Sequence, residues 1–590
     1  MKKREEIEEQ YKWDLSSYIK DEKMLNEEFE YLKTNYPNFK KYNNKLSNKE
    51  MLLELFKFSD EFDQRLDRLA CYIFHSLDQD KSNTYFLNLS KKLEFLSTEI
   101  SQATAFISPQ MLKLKTSYLK EVAQDVRFKD YKRSLEETIR DKKHRISEHD
   151  NILFSKMSMF LSSANDAYDN LTTGEIEFES FELDGEKFDV NEANYSKFMC
   201  NKNREVRKNA LHSLMSGYGK VNRTLTSTYT NDILKDIFFA KISKFKSVKE
   251  EALFNEEVDK KVYDKLIDQI NKHLYVLHEI LEEKRKILKL EKIAYYDVMI
   301  PISEQKKYSI DKAIELIKVA TRPLGEEYNQ IMSKKFSSNC IDYLPNKNKE
   351  TGAYSSGCYG CPSVILMNYV DDLRSVYTLA HEMGHTMHSE LSNRTQPYAT
   401  SQYKIFVAEV ASTVNEMLLY QSLIKEADEK TKISLAFDLF DEFRSTVYRQ
   451  TMFSEFESWI HDELENQKPK TYEDLNNFYF ELNKKYFGDR VELPDELKFE
   501  WSRIPHFYRP FYVYKYSTGF ISALCIVEKL LNEKDYYKKY INFLKAGSSK
   551  GVIDLLKDID VDLTTNKPYE YAFKFLNEQL NMVKNFNKNK

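Results

Sequence analysis

Glycine and proline, the residues that most often interrupt helices, are scarce in this chain. There are 13 glycines and 12 prolines among 590 residues, which is about 4% of the chain against roughly 12% in average proteins. So few interruptions over this length favour long helices and argue against an all-β architecture. Apolar residues also recur at helical spacing through the first 165 residues. Examples of this spacing are Leu52, Leu55, Phe56 and Phe62, followed by Leu87, Leu89, Leu93 and Leu96.

The charge balance and the cysteine count exclude several classes of protein. The 89 Lys and Arg residues nearly balance the 94 Asp and Glu residues, whereas a nucleic-acid-binding protein would be basic. The first residues, MKKREEIEEQYKWDLSSYIK, lack the apolar run of a signal peptide. No stretch approaches the roughly 18 apolar residues of a membrane-spanning helix. Six cysteines are too few for a disulfide framework. We therefore expect a cytoplasmic protein with neither nucleic-acid nor membrane partners.

Short β-like segments and one glycine-rich stretch interrupt the helical pattern. Asp184-Gly185 lies between two short apolar runs, which predicts a β-hairpin with a primed turn. The segment 293–302 (IAYYDVMIPI) is rich in β-forming residues and predicts a strand. Four of the 13 glycines fall within 352–384, and Pro-Ser there precedes a predicted strand at 364–367. The predicted secondary structure thus changes from mainly helical to mixed near the middle of the chain.

The motif HEMGH, from His381 to His385, is the most informative part of the chain. Asp371 or Asp372 can cap a helix that begins just ahead of the motif. On a helix, residues i and i+4 share one face, so both imidazoles can reach one ion, and Glu382 can reach water bound to that ion. A chance match is expected only about 0.03 times in a chain of this composition, which favours a metal site over two ordinary helix histidines.

A third ligand for a metal is available downstream. Catalytic zinc takes three protein ligands and keeps one open position. A metzincin would have glycine and histidine where this chain has His388 and Leu391, so that class is excluded. Glu409 follows His385 by 24 residues, and a turn at 393–397 allows two helices to pack antiparallel. Small residues around Glu409 allow the helices to approach closely.

Two further residues support this arrangement. Gly384 lies inside the motif, where glycine costs a helix about 1 kcal/mol, so we expect close packing or ligand approach at that position. Glu416 lies seven residues beyond Glu409 on the same helix face. It is placed to accept a hydrogen bond from a ligating imidazole, and its structural alternative is a solvated surface charge.

Several segments together resemble those of oligoendopeptidase F, a branch of the thimet-oligopeptidase-like zinc metallopeptidases. They are HEMGHTMHS, VAEVASTVNE, the glycine-rich segment ahead of them, IPHFYRPFYVYKYSTG and the opening YKWDLSSYI. The resemblance covers nearly the whole chain in order and length. It implies a mostly α, two-lobed gluzincin fold of the thimet oligopeptidase and neurolysin type, with a deep active-site channel and a small β-sheet. It also implies a helical region at 1–110, an oligoendopeptidase F N-terminal-type domain at 111–190 ending in the hairpin, and a catalytic domain at 191–590.

The same resemblance assigns roles around the motif. His381, His385 and Glu409 would be the ligands of one Zn²⁺ per chain. Glu382 would act as general base on the zinc-bound water and then as proton donor to the leaving amine. The physical requirement is a metal that acidifies water to a pKa of about 7 and polarises the substrate carbonyl.

A distal cluster is also implied by the resemblance. His506, Tyr508 and one of Tyr512, Tyr514 or Tyr516 would bind substrate and the tetrahedral oxyanion. A phenol or imidazole donor stabilises charge that develops only in the transition state. Among the three tyrosines we favour Tyr514 as the catalytic donor and Tyr512 as a substrate contact, with packing as the alternative for each.

The glycine-rich segment 352–360 suits an exposed edge that pairs with the substrate backbone, with Gly357 as a contact; a simple tight loop is the alternative. Cys358-x-x-Cys361 lies at its end, and the resemblance does not account for this cysteine pair. No second such pair exists to complete a zinc site. We favour a structural role, and a regulatory disulfide is the alternative.

The leading hypothesis is a zinc-dependent oligoendopeptidase that hydrolyses internal bonds of short, unstructured peptides, as a monomer or a dimer. A zinc carboxypeptidase of similar architecture is a second hypothesis. A helical binding or scaffold protein with an inert metal site is a third. The joint presence of the base, three ligands and the distal donors argues against the third.

Overall fold

The computed structural model describes residues 2–147, 154, 157, 161–302 and 306–588. Helices dominate the described residues, and the strands among them are no longer than three residues. The predicted mostly α fold is therefore confirmed. The chain forms two compact units, each built from three segments. The first comprises Met1–Arg145, Gln305–Leu423 and Ile526–Asp560, and the second comprises Ile146–Glu304, Ile424–Cys525 and Val561–Lys590.

The first unit contains the helices of the N-terminal region and the helices that carry the HEMGH motif. Its α-helices are Glu22–Asn35, Lys49–Gln79, Thr84–Thr104, Ile107–Lys113, Thr116–Gln124, Lys132–Asp141, Ile310–Ala320, Gly325–Phe336, Leu373–Thr395, Tyr398–Ser401, Tyr536–Leu544 and Val552–Asp558. The helices Ile405–Glu426 and Tyr514–Asn532 each contribute residues to both units.

The core of the N-terminal region follows the predicted helical spacing. Asn48 caps the helix Lys49–Gln79 by accepting hydrogen bonds from two backbone N–H groups in its first turn. Leu52, Leu55 and Phe62 on this helix are completely buried. Their spacing places them on one face, and burying each side chain contributes about 1.5–3 kcal/mol. The spacing fails for Leu87, which is 38% exposed, because it lies on the outer face of the next helix.

A three-stranded sheet lies in the first unit. Its central strand, Val364–Leu366, is buried and pairs parallel with Ile341–Asp342 and antiparallel with Tyr354–Ser356. In this register Ile365 lies opposite both Ile341 and Ser355. The strand predicted at 364–367 is thus present, and Tyr354–Ser356 is an edge strand of the sheet.

The second unit is also mainly helical. Its α-helices are Ser163–Asn170, Glu192–Met199, Arg204–Lys220, Asn222–Ile242, Val248–Asn255, Lys260–Lys272, Leu274–Ile287, Glu429–Phe443, Arg449–Glu465, Tyr472–Phe487 and Lys567–Lys588. The predicted hairpin is present: Phe181–Leu183 pairs antiparallel with Glu186–Phe188 around the Asp184-Gly185 turn. Both turn residues have positive φ, as a primed turn requires.

The strand predicted over 293–302 is mostly wrong. Only Ile293–Ala294 is extended, pairing parallel with Val491–Glu492. The chain then enters a 3₁₀ turn at Tyr295–Asp297. Asp297 stabilises this turn by accepting a hydrogen bond from the backbone N–H of Ala294 at 2.9 Å. A buried carboxylate therefore overrides the local β preference of the segment.

Candidate functional site

The two histidines of the motif lie on the helix Leu373–Thr395, here called the motif helix. The Asp372 side chain accepts a hydrogen bond from the backbone N–H of Ser375 at 2.7 Å, so the predicted N-cap is present. The helix ends before Gln396, because a residue that precedes proline, here Pro397, is disfavoured in the α conformation. These local signals fix where the motif begins and how far its helix extends.

The second helix of the site, Ile405–Glu426, is here called the carboxylate helix. It packs closely on the motif helix, since a β-carbon on Gly384 would lie 2.7 Å from the Cα atom of Ser412. One turn away, the Asn415 side-chain amide donates to the backbone carbonyl of Ala380 at 3.1 Å. From the first contact to the second, the residue number falls from 384 to 380 on the motif helix and rises from 412 to 415 on the carboxylate helix. The two helices are therefore antiparallel. The close packing expected at Gly384 is present.

Three potential metal ligands converge between these helices. The Nε2 atoms of His381 and His385 lie 3.1 Å apart, and the Nε2 atom of His381 lies 3.7 Å from a carboxylate oxygen of Glu409. One atom from each residue lies within 4.8 Å of the others. Tetrahedral ligands at zinc–ligand distances of 2.0–2.1 Å lie about 3.3 Å apart. The two imidazoles and the carboxylate therefore fit a zinc ion in both chemistry and spacing.

Glu416 fixes the orientation of the His381 imidazole through a hydrogen bond. The Nδ1 atom of His381 is hydrogen-bonded to the Glu416 carboxylate, which leaves Nε2 as the ligating nitrogen. Burial by itself lowers the pKa of His381, but Glu416 outweighs burial and raises that pKa to about 9. Burial lowers the pKa of His385 to about 3, so this imidazole is neutral and offers a lone pair. Glu409 is buried as well, which raises its pKa.

Glu382 projects into a largely enclosed environment. Its side chain is 7% exposed, and burial together with the nearby Glu409 raises its pKa to about 7. The backbone N–H of Ser355, on the edge strand of the sheet, donates a hydrogen bond to the Glu382 carboxylate. The Ser355 hydroxyl also contacts the Thr386 hydroxyl at 2.8 Å. The edge strand of the sheet thus fixes the orientation of the Glu382 side chain.

Some supporting residues were missed by the sequence analysis. Asn415 bridges the two helices, and the Tyr328 hydroxyl donates to its side-chain oxygen at 2.9 Å. Asn415 immediately precedes Glu416 in the segment VAEVASTVNE, so the sequence alone could have indicated it as a site residue. Tyr328 and Ser355 come from distant elements, and no local pattern indicates their contacts.

His506 and two of the distal tyrosines lie together in the second unit. His506 follows Pro505 in a 3₁₀ turn. Its ring centroid lies 6.1 Å from that of Tyr512 and 6.0 Å from that of Tyr516, and all three rings are half-buried. Burial lowers the pKa of His506, and the positive charges of Arg509 and another arginine add to this effect. The group is an imidazole beside two partly accessible phenols.

Tyr508 and Tyr514 have different surroundings in the same unit. The Tyr508 hydroxyl shares a hydrogen bond with the Thr228 hydroxyl at 2.7 Å, and burial raises its pKa. Tyr514 is only 1% exposed and packs edge-to-face on Tyr263 with centroids 5.3 Å apart. These contacts are those of a packed ring, and the catalytic role of Tyr514 stays a prediction.

Gly357 has a structural requirement of its own. A β-carbon at this position would lie 2.9 Å from the Cα atom of Ser363, so only glycine fits the loop without displacement. This contact accounts for the glycine without any ligand. The role of Gly357 in substrate binding remains a prediction.

Comparison with known proteins gives matches along nearly the entire chain. The family model described as Peptidase family M3 matches residues 197–575, and the model described as Oligopeptidase F matches residues 110–178. Oligopeptidase PepF of Bacillus subtilis (strain 168) is 38% identical over 584 residues, covering 98% of this chain and 87% of that protein. A crystal structure from Chlamydophila abortus has a TM-score of 0.93 at 32% identity, covering 99% of each chain. The oligoendopeptidase-F structure from Enterococcus faecium has a TM-score of 0.74 at 28% identity, covering 96% of this chain and 99% of that one.

The helical fold and the His-Glu-His motif with its downstream carboxylate define a metallopeptidase. The chain belongs to peptidase family M3, and its resemblance to oligoendopeptidase F is confirmed. No helix in the described part of the chain combines the length and apolar character needed to span a bilayer.

Proposed function

We propose that this metallopeptidase is a zinc-dependent oligoendopeptidase that cleaves internal bonds of short, unstructured peptides. The observation that carries the proposal is the convergence of His381, His385 and Glu409 with Glu382 beside them. Two imidazoles and one carboxylate are the protein ligands of several catalytic zinc sites, which keep a fourth position open. We propose one Zn²⁺ per chain at this cluster.

A bound Zn²⁺ supplies a Lewis acid that polarises the peptide carbonyl and acidifies water. Glu382 takes the proton from the water that attacks the carbonyl carbon and returns it to the leaving amine nitrogen. The Ser355 N–H holds this carboxylate in one orientation, and its burial keeps bulk water away from it. Glu416 keeps the His381 ring in the tautomer whose Nε2 is free to ligate.

The negative charge on the tetrahedral oxygen needs a donor that is in place before the reaction. We propose His506 for this role together with Tyr512 or Tyr516, because these rings are grouped and partly accessible. Tyr508 is also proposed as a member of the catalytic group. The burial of Tyr514 supports packing, so we prefer its two neighbours to the residue favoured by sequence alone.

The substrate class follows from how an edge strand recognises peptides. The strand Tyr354–Ser356 has a partner on one side only among the described strands. Backbone pairing with an extended peptide along such an edge would tolerate many side chains. Most extended segments of a folded protein are already paired within its sheets, whereas a short, unstructured peptide is free to pair along such an edge, which supports peptides of this kind as substrates.

The organisation of the chain remains a proposal as well. We propose a helical region at 1–110, an oligoendopeptidase F N-terminal-type domain at 111–190 and a catalytic domain at 191–590. The family-model matches at 110–178 and 197–575 support the last two. We also propose a cytoplasmic location. Both a monomer and a dimer are consistent with the family resemblance.

The decisive assay uses a quenched fluorogenic peptide blocked at both ends, with products identified by mass spectrometry. Internal cleavage by the zinc-loaded protein, lost in Glu382→Gln, supports the proposal. Release of single residues from the carboxyl end of an unblocked peptide, without internal cleavage, would instead indicate the carboxypeptidase. Binding without any cleavage would indicate a binding protein with an inert metal site.

A further inference from the structure

Three cysteine thiols meet in the first unit. Cys358 and Cys361 lie in the loop between the last two strands of the three-stranded sheet, and Cys71 lies on the helix Lys49–Gln79. The Cys358 thiol lies close enough to the thiols of Cys71 and Cys361 for both of them to affect its ionisation. All six cysteines lie among the described residues, and the structure contains them as thiols with no disulfide. Cys71 is 287 positions from Cys358, so the fold creates this group.

The loop already holds the two nearer cysteines in a closed turn. The backbone N–H of Cys361 donates to the backbone carbonyl of Cys358 at 3.1 Å. Gly357 lies against Ser363 at the two ends of the loop. The Tyr18 hydroxyl donates a hydrogen bond to the backbone carbonyl of Pro362 at 2.5 Å. The turn therefore holds the two cysteines close together within an anchored loop.

The two cysteines of the turn differ in reactivity. Cys358 is 2% exposed, and its contacts with the neighbouring thiols together with burial raise its pKa. Cys361 is half-buried. The neighbouring Cys358 thiol lowers the pKa of Cys361, against the effect of burial, and the positive charge of the Arg68 guanidinium adds to the lowering. Cys361 can therefore ionise and attack an oxidant as a thiolate. Cys358 stays protonated and can then react with the oxidised Cys361 to form a disulfide.

Cys361 is the more accessible of the two cysteines, because it is half-buried and Cys358 is almost fully buried. The Arg68 guanidinium places a positive charge near the Cys361 sulfur. Arg68 also lines an open cavity of about 400 Å³ on the first unit, together with Lys57, Asp60, Glu61, Gln64, Arg65 and Tyr131. The buried Cys358 is shielded from direct attack.

We propose that Cys361 and Cys358 form a peroxide-sensitive dithiol, with Cys361 as the attacking thiolate and Cys358 as the resolving thiol. The Cys361 thiolate attacks one oxygen of hydrogen peroxide, forming an S–O bond as the O–O bond breaks and hydroxide leaves. The Cys358 sulfur then displaces the sulfenic oxygen as water, and the S–S bond forms. Two thiols lose two electrons in total, and the peroxide becomes two molecules of water. Cys71 is placed to attack Cys358 and exchange the disulfide.

A metal ion bound by the three thiolates is a weaker interpretation. Among the described residues, only His381, His385 and Glu409 form a group whose ligand atoms are close enough to hold a metal ion. The Cys358 thiol is affected by both Cys71 and Cys361, but the three sulfur atoms are not all within 4.8 Å of one another. This arrangement suits stepwise thiol–disulfide exchange better than shared coordination.

The test uses the purified, metal-loaded protein and hydrogen peroxide, followed by catalase, alkylation in denaturant and peptide mapping. Cys200 is an exposed cysteine and serves as the internal reference. We expect a 358–361 disulfide to form about tenfold faster than Cys200 is oxidised, and dithiothreitol to restore both thiols. Oxidation of Cys200 first, or oxidation of Cys361 to sulfinic acid without a disulfide, would overturn the proposal.

Variants assign the two roles. In Cys361→Ser, oxidation of Cys358 should fall to the rate of Cys200 or below. In Cys358→Ser, a sulfenic acid should persist at Cys361 and be trapped by dimedone. Arg68→Met should slow the reaction several-fold, whereas Arg65→Met, which changes the same cavity one turn away, should not. Unchanged oxidation of the turn in Cys361→Ser contradicts the proposal, and the wild-type mapping remains decisive should a variant misfold.

Discussion

Gly384 lies directly against Ser412, so that a β-carbon on the glycine would be 2.7 Å from the Cα atom of the serine. The motif helix and the carboxylate helix therefore meet backbone to backbone at this point. The contact lies one residue from His385 on one helix and three residues from Glu409 on the other. It sets the separation between the imidazoles and the carboxylate that would share a metal ion.

Gly384→Ala should destabilise the protein and weaken zinc binding. The added methyl group meets backbone atoms that cannot rotate away, and such overpacking costs about 1–3 kcal/mol. Thermal unfolding and zinc content measure the two effects. Gly174→Ala is the matched control, since a β-carbon there meets no atom within 4 Å. Equal stability and zinc content in both variants would contradict the assigned role of the contact.

Glu382→Gln should lower kcat by about 100- to 10,000-fold, the usual contribution of a general base. The amide is nearly the same size but cannot accept the proton from the attacking water. Zinc content should remain close to one ion per chain, because Glu382 is not among the three proposed ligands. Glu429→Gln, a surface substitution at the start of the next helix, serves as the control. Full activity in Glu382→Gln would exclude the proposed mechanism.

Glu416→Ala should weaken zinc affinity by about 10- to 100-fold, as expected for loss of a carboxylate that supports a ligating histidine. The His381 ring loses the partner that fixes its tautomer. Glu416→Gln should keep part of the affinity, because its amide oxygen still accepts a hydrogen bond. Chelator competition measures the zinc Kd of each variant. An unchanged Kd in Glu416→Ala would indicate that Glu416 is only a surface charge.

Among the distal tyrosines, Tyr512→Phe or Tyr516→Phe should reduce kcat by about 100- to 1,000-fold, the loss expected for one oxyanion donor. Tyr514→Phe should have a much smaller effect on kcat, since this ring is buried among other side chains. Steady-state kinetics with one peptide separates kcat from KM. A large loss of kcat in Tyr514→Phe alone would restore the assignment made from the sequence.

Local patterns in the sequence predicted much of the fold and of the metal cluster. The i, i+4 spacing of His381 and His385 and the cap at Asp372 depend only on helix geometry. Glu409 could be proposed because only a short segment, 396–404, separates its helix from the motif helix. The Asp184-Gly185 hairpin was predictable for the same reason, since positive φ at both positions is a local requirement.

Features that depend on distant packing could not be predicted. Tyr512, Tyr514 and Tyr516 alternate along one segment, and only the surrounding helices decide which ring is buried. Ser355 contacts Glu382 from a strand 27 positions earlier, and Cys71 meets Cys358 from a helix near the start of the chain. The segment 293–302 has the composition of a strand, but the buried Asp297 carboxylate stabilises a turn there.

The central claim is that His381, His385 and Glu409 bind one zinc ion. Crystals of the purified protein, measured on both sides of the zinc absorption edge, test this claim directly. We expect one anomalous peak per chain, about 2.0–2.1 Å from the Nε2 atoms of both histidines and at about the same distance from a Glu409 oxygen. A fully occupied protein without a peak at this position, or with its peak at other ligands, would contradict the account.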